Sequence, residues 1–412
     1  RYKKVLYNSL KHFDDKIILE QTSIWNEHKY MMLTKKYGYL PEMCVYNDDI
    51  RLRFGNTLFC WLSGCYTRID YLEIIENKLV IEGYTMLLGL ADDEAAEVML
   101  RIKKSEIDEE ICFVPCDIME QRDTNQYKLG EIMFRGISFH GEVILEKDEC
   151  KAEISFMCIV RGNELIKKDI RFSRFTPIGA EYGNSYYIKD GYILTRRRYF
   201  LYFEKCRRNE VKIRERKLLK ELKTSGKVSD KKAYYVRKMV KLFKHFKKKI
   251  WLISDRVNQA GDNGEALFCY LCKQNLHDID VYFVLDEESA DYERLSKIGK
   301  VVPYFSHKHK LLHLLADVII SSHADEHVIN PFNSYIGPYR NYIANQKFVF
   351  LQHGIIQNDL SSWLNKYNVP LNGFVTSAQR EYDSIISGKY CYDHEQIWLT
   401  GLPRYDLLYH DE

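Results

Sequence analysis

The spacing of apolar residues changes three times along the chain, and each change predicts a different kind of element. In KVLYNSLKHF and IWNEHKYMMLTKKYGYL apolar residues recur at three- and four-residue steps. That period predicts helices over most of residues 1–50, with Pro41 closing the second run. From about Gly55 the runs become short, rich in β-branched and aromatic residues, and divided by Gly, Asn and Asp. They are TLFCWLSG, KLVIEGYTML, EVMLRIK, ICFVPC, ISFHGEVIL, AEISFMCIV and KDIRFSRF. Strands at such regular intervals predict an antiparallel β-sandwich-like domain or a barrel over residues 51–203. Nothing in this block resembles a catalytic cluster, and its many Tyr and Phe read as core and sheet-face residues.

Residues 204–249 return to a helical period. KKAYYVRKMVKLFKHFKKKI sets Tyr235, Met239, Leu242, Phe243, Phe246 and Ile250 on one stripe. From residue 250 apolar strands alternate with helical segments. The strands are KKIWLISD, VYFVLD, KVVPYF, DVIISS, KFVFLQHG, NGFVTS and QIWLTG; the helices include GEALFCYLCKQ, DYERLSKIG and HKLLHLLA. This alternation predicts an α/β unit over 250–412. Parallel open sheets bind ligands at the carboxyl ends of their strands, so the polar exits of these strands are where chemistry belongs.

Charge changes the picture at one place. The whole chain carries +3, yet residues 207–249 hold 18 Lys and Arg against four Asp and Glu. That segment is +14 and the remainder −11. Lys238, Lys241, Lys244, Lys247 and Lys248 flank the apolar stripe, the pattern of a helix lying on an anionic membrane surface. A helix packed on the next domain with a solvated lysine face is the alternative. No motif beside the charge points to nucleic acid.

Composition adds bounds. A 412-residue chain with 46% hydrophobic residues is expected to form two or three domains with real cores. No run of about 18 apolar residues marks a spanning helix, and no leader pattern marks secretion. The 11 cysteines have no repeating spacing, which favours reduced thiols. Cys269 and Cys272, in FCYLC, read as ordinary buried thiols on a helix rather than a zinc or redox pair.

Four segments of the α/β region carry a resemblance. SDRVNQAGDNGEALF (254–268), ADVIISSHADE (316–326), FLQHGIIQNDLSSWLN (350–365) and LTGLPRYDLL (399–408) agree in order and spacing with the catalytic domain of the CDP-glycerol glycerophosphotransferase family, the teichoic-acid polymerase-like enzymes. FDDKIILEQ and the 55–203 block loosely resemble the linker of proteins in which this domain follows a nucleotide-sugar transferase domain. The resemblance implies a Rossmann-like half of a GT-B fold. It implies transfer of glycerol phosphate, or ribitol phosphate, from a CDP-alcohol donor to a polymer or lipid-linked acceptor, with release of CMP. No cofactor or bound metal is implied beyond the donor substrate. The expected location is cytoplasmic, peripheral on the inner face of the plasma membrane. Family members continue past the G-x-PR-x-D segment into a second Rossmann half, so a chain that starts at Arg1 and stops at Glu412 is expected to be a piece of a longer polymerase. Rival readings are a GT-B sugar transferase and a non-catalytic membrane-docking scaffold.

Site candidates follow from position and chemistry. His353 sits after the apolar strand KFVFLQ and before Gly354; imidazole titrates near neutrality, and the resemblance gives this HG histidine the role of general base. Gln352 and Gly354 flank it as candidate substrate contacts. Asp262, Asn263 and Gly264 lie in the first strand-to-helix loop, where a helix N-terminus suits either polar substrate binding or plain capping. The loop lacks the Lys-Ser/Thr ending of a P-loop. Arg404 suits a phosphate through its planar fork, and Asp406 could orient Arg404 or form a hinge with it. Asp359 and Asn358 could orient His353 or an acceptor hydroxyl. His323, with Asp325 and His327, forms an H-x-D-x-H set that lines the acceptor cleft or, less simply, holds a metal.

Overall fold

A computed structural model of the chain describes residues 18–19, 27–46, 49–55, 57–61, 65–87, 96–104, 111–118, 126–129, 132–146, 149, 151–160, 163–166, 170–197, 200–244, 248–274, 276–333 and 335–409. The predicted helix KVLYNSLKHF, and Phe246 and Lys247 of the basic stripe, lie outside these residues. Two compact units emerge. One comprises Arg1–Ser173 with Lys189–Cys206, and the other Arg174–Ile188 with Arg207–Glu412.

The first unit is built from sheets. The helix Glu27–Tyr37 buries Tyr30 and Leu33, and the Tyr30 ring meets Phe54 edge-on with centroids 5.8 Å apart. Phe54 ends one strand of a four-stranded sheet ordered Ile18–Leu19, Thr57–Trp61, Asp49–Phe54, Glu42–Tyr46. A five-stranded sheet runs Ile170–Phe172, Cys65–Ile75, Lys78–Leu87, Ile137–Ile144, Asp117–Ile118. Another contains Tyr192–Arg197, Phe200–Lys205, Lys151–Val160, Ala96–Lys103 and Ile111–Pro115 in that order. Alternation places Val98, Leu100 and Ile102 on a buried face, as it does Ala152, Ile154 and Phe156. Phe156 meets Phe139 of the five-stranded sheet, ring centroids 5.7 Å apart. All seven predicted segments contain strands. Two pairings among the described residues depart from the antiparallel expectation: Ile170–Phe172 runs parallel to Thr67–Ile69, and Ile18–Leu19 runs parallel to Thr57–Leu58.

The second unit is α/β. Its parallel sheet holds β1 (Lys249–Ser254), β2 (Ile279–Leu285), β3 (Lys300–Pro303), β4 (Val318–Ser321), β5 (Lys347–Phe350), β6 (Gly373–Thr376) and β7 (Ile397–Leu399), in the order 3-2-1-4-5-6-7. Both faces of such a sheet are covered, which is why its strands read as continuous apolar runs rather than as alternations. Ile253, Phe283, Leu285, Ile320 and Val375 share one core cluster with Phe268 from the helix after β1. The order reverses next to β1, between β1 and β4, so the exits of those two strands open a crevice.

Two helices, α1 (Glu210–Thr224) and α2 (Val228–Phe243), precede the sheet. They belong to the α/β unit, and so do residues 174–188. Both facts correct the expected boundaries, which set 204–249 apart as a linker and gave 174–188 to the β-rich domain. Hydrogen bonds show why. The α1 carboxylate of Glu221 accepts the N–H groups of Gly183 and Asn184, at 2.8 and 3.0 Å. On α2, Arg237 is fully buried; it pairs with Glu215 of α1 and donates to the Pro338 carbonyl and to Asn341 Oδ1. Asp230 of α2 accepts the hydroxyls of Tyr182 and Tyr335. Thus Ala233, Arg237 and Val240 form a buried stripe, while Tyr235, Met239, Leu242 and Phe243 are exposed on the opposite side. Ile250, expected on the helical stripe, is instead buried in β1. Among the described residues no helix is long and apolar enough to cross a membrane.

Candidate active site at the strand exits

Five strand exits converge on the crevice side. Each strand stops where its apolar run gives way to residues whose side chains hydrogen-bond, and those residues build the floor of the site. Ser254, the last residue of β1, donates its hydroxyl to Ser321 Oγ at 3.1 Å. The next residue, Asp255, is 1% exposed. Its carboxylate accepts four donors: Ser322 Oγ at 2.6 Å, the Asp262 N–H at 3.0 Å, the Gly264 N–H at 2.7 Å and the Glu265 N–H at 3.0 Å. Burial pushes its pKa up, and these donors pull it back. Gly264 is required here: a Cβ at that position would lie 2.5 Å from Asp255 Oδ1 and 2.7 Å from the Ser254 carbonyl oxygen.

The helix α3 (Asn263–Lys273) starts on this carboxylate. Asp262 is its N-cap, its side chain accepting the Asn263 N–H at 2.8 Å. Asp255 and Asp262 therefore occupy the N–H groups of the first turn, and capping is the arrangement present. Two carboxylates thus stand at this helix N-terminus, and the N–H groups of its first turn are engaged by them. Asn263 is fully buried; its Nδ2 donates to the Gln352 carbonyl at 2.7 Å, and its Oδ1 accepts the Arg404 N–H at 3.1 Å. Gly264 and Gln352 are buried too. Asn263, Gly264 and Gln352, expected among substrate contacts, instead tie the frame together.

His353 stands differently. Gln352 adopts a left-handed backbone with φ 61°, unusual for a residue with a side chain. Its Nε2 donates to the Val375 carbonyl of β6. The chain thereby turns sharply out of β5, and the next side chain, His353, is exposed. Its Nδ1 lies 3.3 Å from the Ser322 carbonyl oxygen. Its ring stacks on that of His323, with centroids 4.7 Å apart and planes 5° from parallel. Burial, then the neighbouring His353, lowers the His323 pKa. His323 Nδ1 lies 3.6 Å from Asp325 Oδ2. The side chain of His327 lies outside the described residues, and among those described no group of three or more His, Cys, Asp or Glu is placed to hold a metal. A Cβ on Gly354 would meet nothing within 4 Å, so the space over it is open.

The remaining expected residues fall in two groups. Arg404 Nη1 donates to Asp262 Oδ1 at 3.0 Å. Asp262 thus orients Arg404; Asp406, proposed for that task, is exposed on the 3-10 helix Pro403–Tyr409. Asp359 caps its own turn, accepting the Ser361 N–H at 2.9 Å, and hydrogen bonds from the Ser361 side chain and then from its N–H hold the Asp359 pKa below the usual carboxylate range. It does not orient His353. Glu381, which sequence reasoning missed, is buried and accepts the N–H groups of Ile356 and Ser377, both at 2.8 Å, so it anchors the segment after His353 to the exit of β6. Asp255 was missed as well, although its place directly after an apolar strand, nine residues before a glycine, was a usable signal. Cys269 and Cys272 are half-buried thiols on α3, and burial raises the pKa of both.

With this geometry described, comparison with known proteins is informative. A Bacillus subtilis (strain 168) protein, minor teichoic acid biosynthesis protein GgaB, is 33% identical over 410 residues. The alignment covers 97% of this chain and 44% of that protein, so the chain spans less than half of the relative's length. Among solved structures, a variant of the wall teichoic acid polymerase TagF aligns at 14% identity with a TM-score of 0.34, over 49% of this chain and 50% of that one. Another TagF variant, soaked with CDPG, aligns at 13% identity with a TM-score of 0.30, over 49% and 52%. The family described as CDP-Glycerol:Poly(glycerophosphate) glycerophosphotransferase matches residues 233–412, which begin inside α2 and run through the whole sheet. The part of the chain so matched, residues 233–412 with His353 at its exposed strand exit, is similar to that glycerophosphotransferase family.

Proposed function

We propose that the α/β unit is one Rossmann-like half of a GT-B transferase that moves glycerol phosphate, or ribitol phosphate, from a CDP-alcohol to a polymer or lipid-linked acceptor in teichoic-acid-type synthesis. The observation that carries this reading is the placement of His353. An exposed imidazole stands at the carboxyl end of β5, its ring fixed by stacking on His323 and by the Ser322 carbonyl. The acceptor hydroxyl attacks the donor phosphorus that bears the alcohol. A new P–O bond forms, the P–O bond to CMP breaks, CMP leaves with the bonding electrons, and the hydroxyl proton passes to His353. General-base assistance of this kind contributes about 10² to 10⁴-fold. Arg404, half-exposed beside Asp262, is a cation at a neighbouring strand exit whose planar fork suits a phosphate oxygen. The test is CMP release from CDP-glycerol by the full-length protein. Turnover of a nucleotide sugar instead supports a sugar transferase of the same fold. Transfer that survives His353→Ala intact removes the proposed base.

We further propose that the outward stripe of α2 rests on an anionic membrane surface at the cytoplasmic face. Tyr235 is 65% exposed and Leu242 60%, with Met239 and Phe243 beside them and Lys231, Lys238, Lys241 and Lys244 alongside. The buried stripe already packs against the unit's own residues, so this second apolar face serves no internal core. Each basic residue near such a surface contributes about 1 kcal/mol. Reversing Lys238, Lys241 and Lys244 to Glu is expected to lower co-sedimentation with anionic vesicles by at least about a hundredfold, while neutral vesicles are unaffected. Equal sedimentation of both proteins refutes the assignment.

A further inference from the structure

We propose that Asp255 is a positioning residue for His353: acting through Ser322, it fixes the imidazole in the tautomer whose Nε2 is free to accept a proton. The inference rests on the reading of His353 as general base and adds which of its nitrogens does the work and what holds it so.

The links are short and continuous. The Asp255 carboxylate is almost wholly buried and accepts the Ser322 hydroxyl at 2.6 Å. Ser322 is itself fully buried, and its N–H donates to the Ser254 carbonyl at 3.2 Å. Both ends of this residue are thus pinned, which fixes where its carbonyl oxygen points. That oxygen lies 3.3 Å from His353 Nδ1. A carbonyl has no proton to give, so Nδ1 must carry the hydrogen and donate it. The proton of a neutral imidazole is then spent, and Nε2 keeps its lone pair. Which ring nitrogen is protonated is set by the hydrogen bond the other atom makes. The His323 ring, stacked at 4.7 Å, blocks one face of the imidazole and limits its rotation. His323 is itself held, through its N–H, by Ser321 Oγ at 3.0 Å. The same Asp255 carboxylate anchors the first turn of α3, so one buried group sets both the loop of Asp262 and the tautomer of His353.

The neighbouring charged groups do not supply an alternative acceptor for Nδ1. Asp262 is engaged by the Asn263 N–H and by Arg404, and Asp325 faces His323. Ser322 is the described partner of that nitrogen.

The experiment is histidine-selective 15N NMR on the full 412-residue chain, with the His353 signals assigned by their loss in His353→Gln. In the wild type the long-range 1H–15N pattern is expected to show a protonated Nδ1 and an unprotonated Nε2. Ser322→Ala keeps the carbonyl but cuts its link to Asp255, and Asp255→Asn removes the charge at constant shape. Either variant is expected to give a mixture of the two tautomers, and CMP release by the full-length protein carrying it falls by up to about a hundredfold, the usual consequence of a misplaced reacting group. Asp255→Asn also removes acceptors from α3; if that variant fails to fold, Ser322→Ala alone decides. The native tautomer persisting unchanged in folded Ser322→Ala overturns the proposal, as does a wild-type spectrum with Nε2 protonated. The expected tautomers in the chain with no CMP release by the full-length protein leave the positioning role standing and count against the transferase reading instead.

Discussion

Arg237→Ala is expected to be among the most destabilising single changes in the α/β unit. The guanidinium has no exposed surface, and Glu215 beneath it is 6% exposed. Nε donates to Glu215 Oε1 at 3.0 Å, Nη2 to the other carboxylate oxygen, and Nη1 to the Pro338 carbonyl and to Asn341 Oδ1 at 3.0 Å. The guanidinium carbon lies 4.5 Å from the Tyr342 ring centre. Truncation leaves Glu215 buried with only the Tyr186 hydroxyl to stabilise its charge, and strands a buried carbonyl. Breaking a buried pair in this way costs about 3–5 kcal/mol. In a domain of this size 1 kcal/mol corresponds to about 2–4 °C, so the transition of this unit should fall by roughly 10 °C. Scanning calorimetry of the intact chain reads it. The reasoning also predicts a recovery: Arg237→Met combined with Glu215→Leu removes both charges and should regain most of the loss, because apolar replacement of a whole buried pair is often neutral. A single variant melting within about 2 °C of the wild type, or a double variant worse than the single, refutes it.

Other consequences are open to direct measurement. His353→Gln should lower CMP release by about 10² to 10⁴-fold with the melting temperature unchanged, since the ring is exposed and its loss leaves no cavity. His309 makes stability depend on pH. It is buried, its Nδ1 accepts the Phe305 N–H at 3.0 Å, and burial lowers its pKa from 6.5 to about 4. The unfolded chain therefore binds a proton that the folded unit refuses, so stability is complete above pH 6.5 and falls as the pH drops towards 4, by about 3 kcal/mol in all. Urea titrations of the wild type and His309→Gln at pH 7 and pH 4.5 should show a smaller acid loss in the variant. In the first unit, Gly83→Ala would put a Cβ 2.1 Å from the Arg68 carbonyl oxygen, beside the register shift between Ile69 and Tyr71. It should destabilise that unit by about 1–3 kcal/mol, read as a lower melting transition, with the α/β unit unaffected.

All seven strands of the parallel sheet were legible in the sequence, because each is a short apolar run ended by polar or glycine-containing residues. His353 was legible for the same reason: it follows such a run directly. What stayed hidden depends on partners far away in sequence. The place of Asp255 after an apolar strand marks it in the sequence, but its role does not show until Ser322, 67 residues on, is folded against it. The inner stripe of α2 was invisible because two of its members, Asp230 and Arg237, are charged, and charged residues bury only when paired. Their partners lie on Tyr182, Glu215 and Tyr335. Periodicity alone therefore found the outer apolar stripe and missed the one that packs. Asn263 and Gln352 look like ligand contacts in one dimension; in three they brace each other.

The buried stripe on α2 bears on any attempt to produce the α/β unit as a fragment. The charge run ending near Lys249 invites a cut there, yet such a piece loses Glu215, Asp230 and Arg237 together. Pro338, Asn341 and Tyr335 would then face water with their polar partners gone, and Tyr339 would lose its cover. A recombinant protein starting at residue 250 should precipitate or remain molten. One that begins upstream of residue 174 retains both helices and the 174–188 segment that Glu221 clasps, and should behave as a folded body.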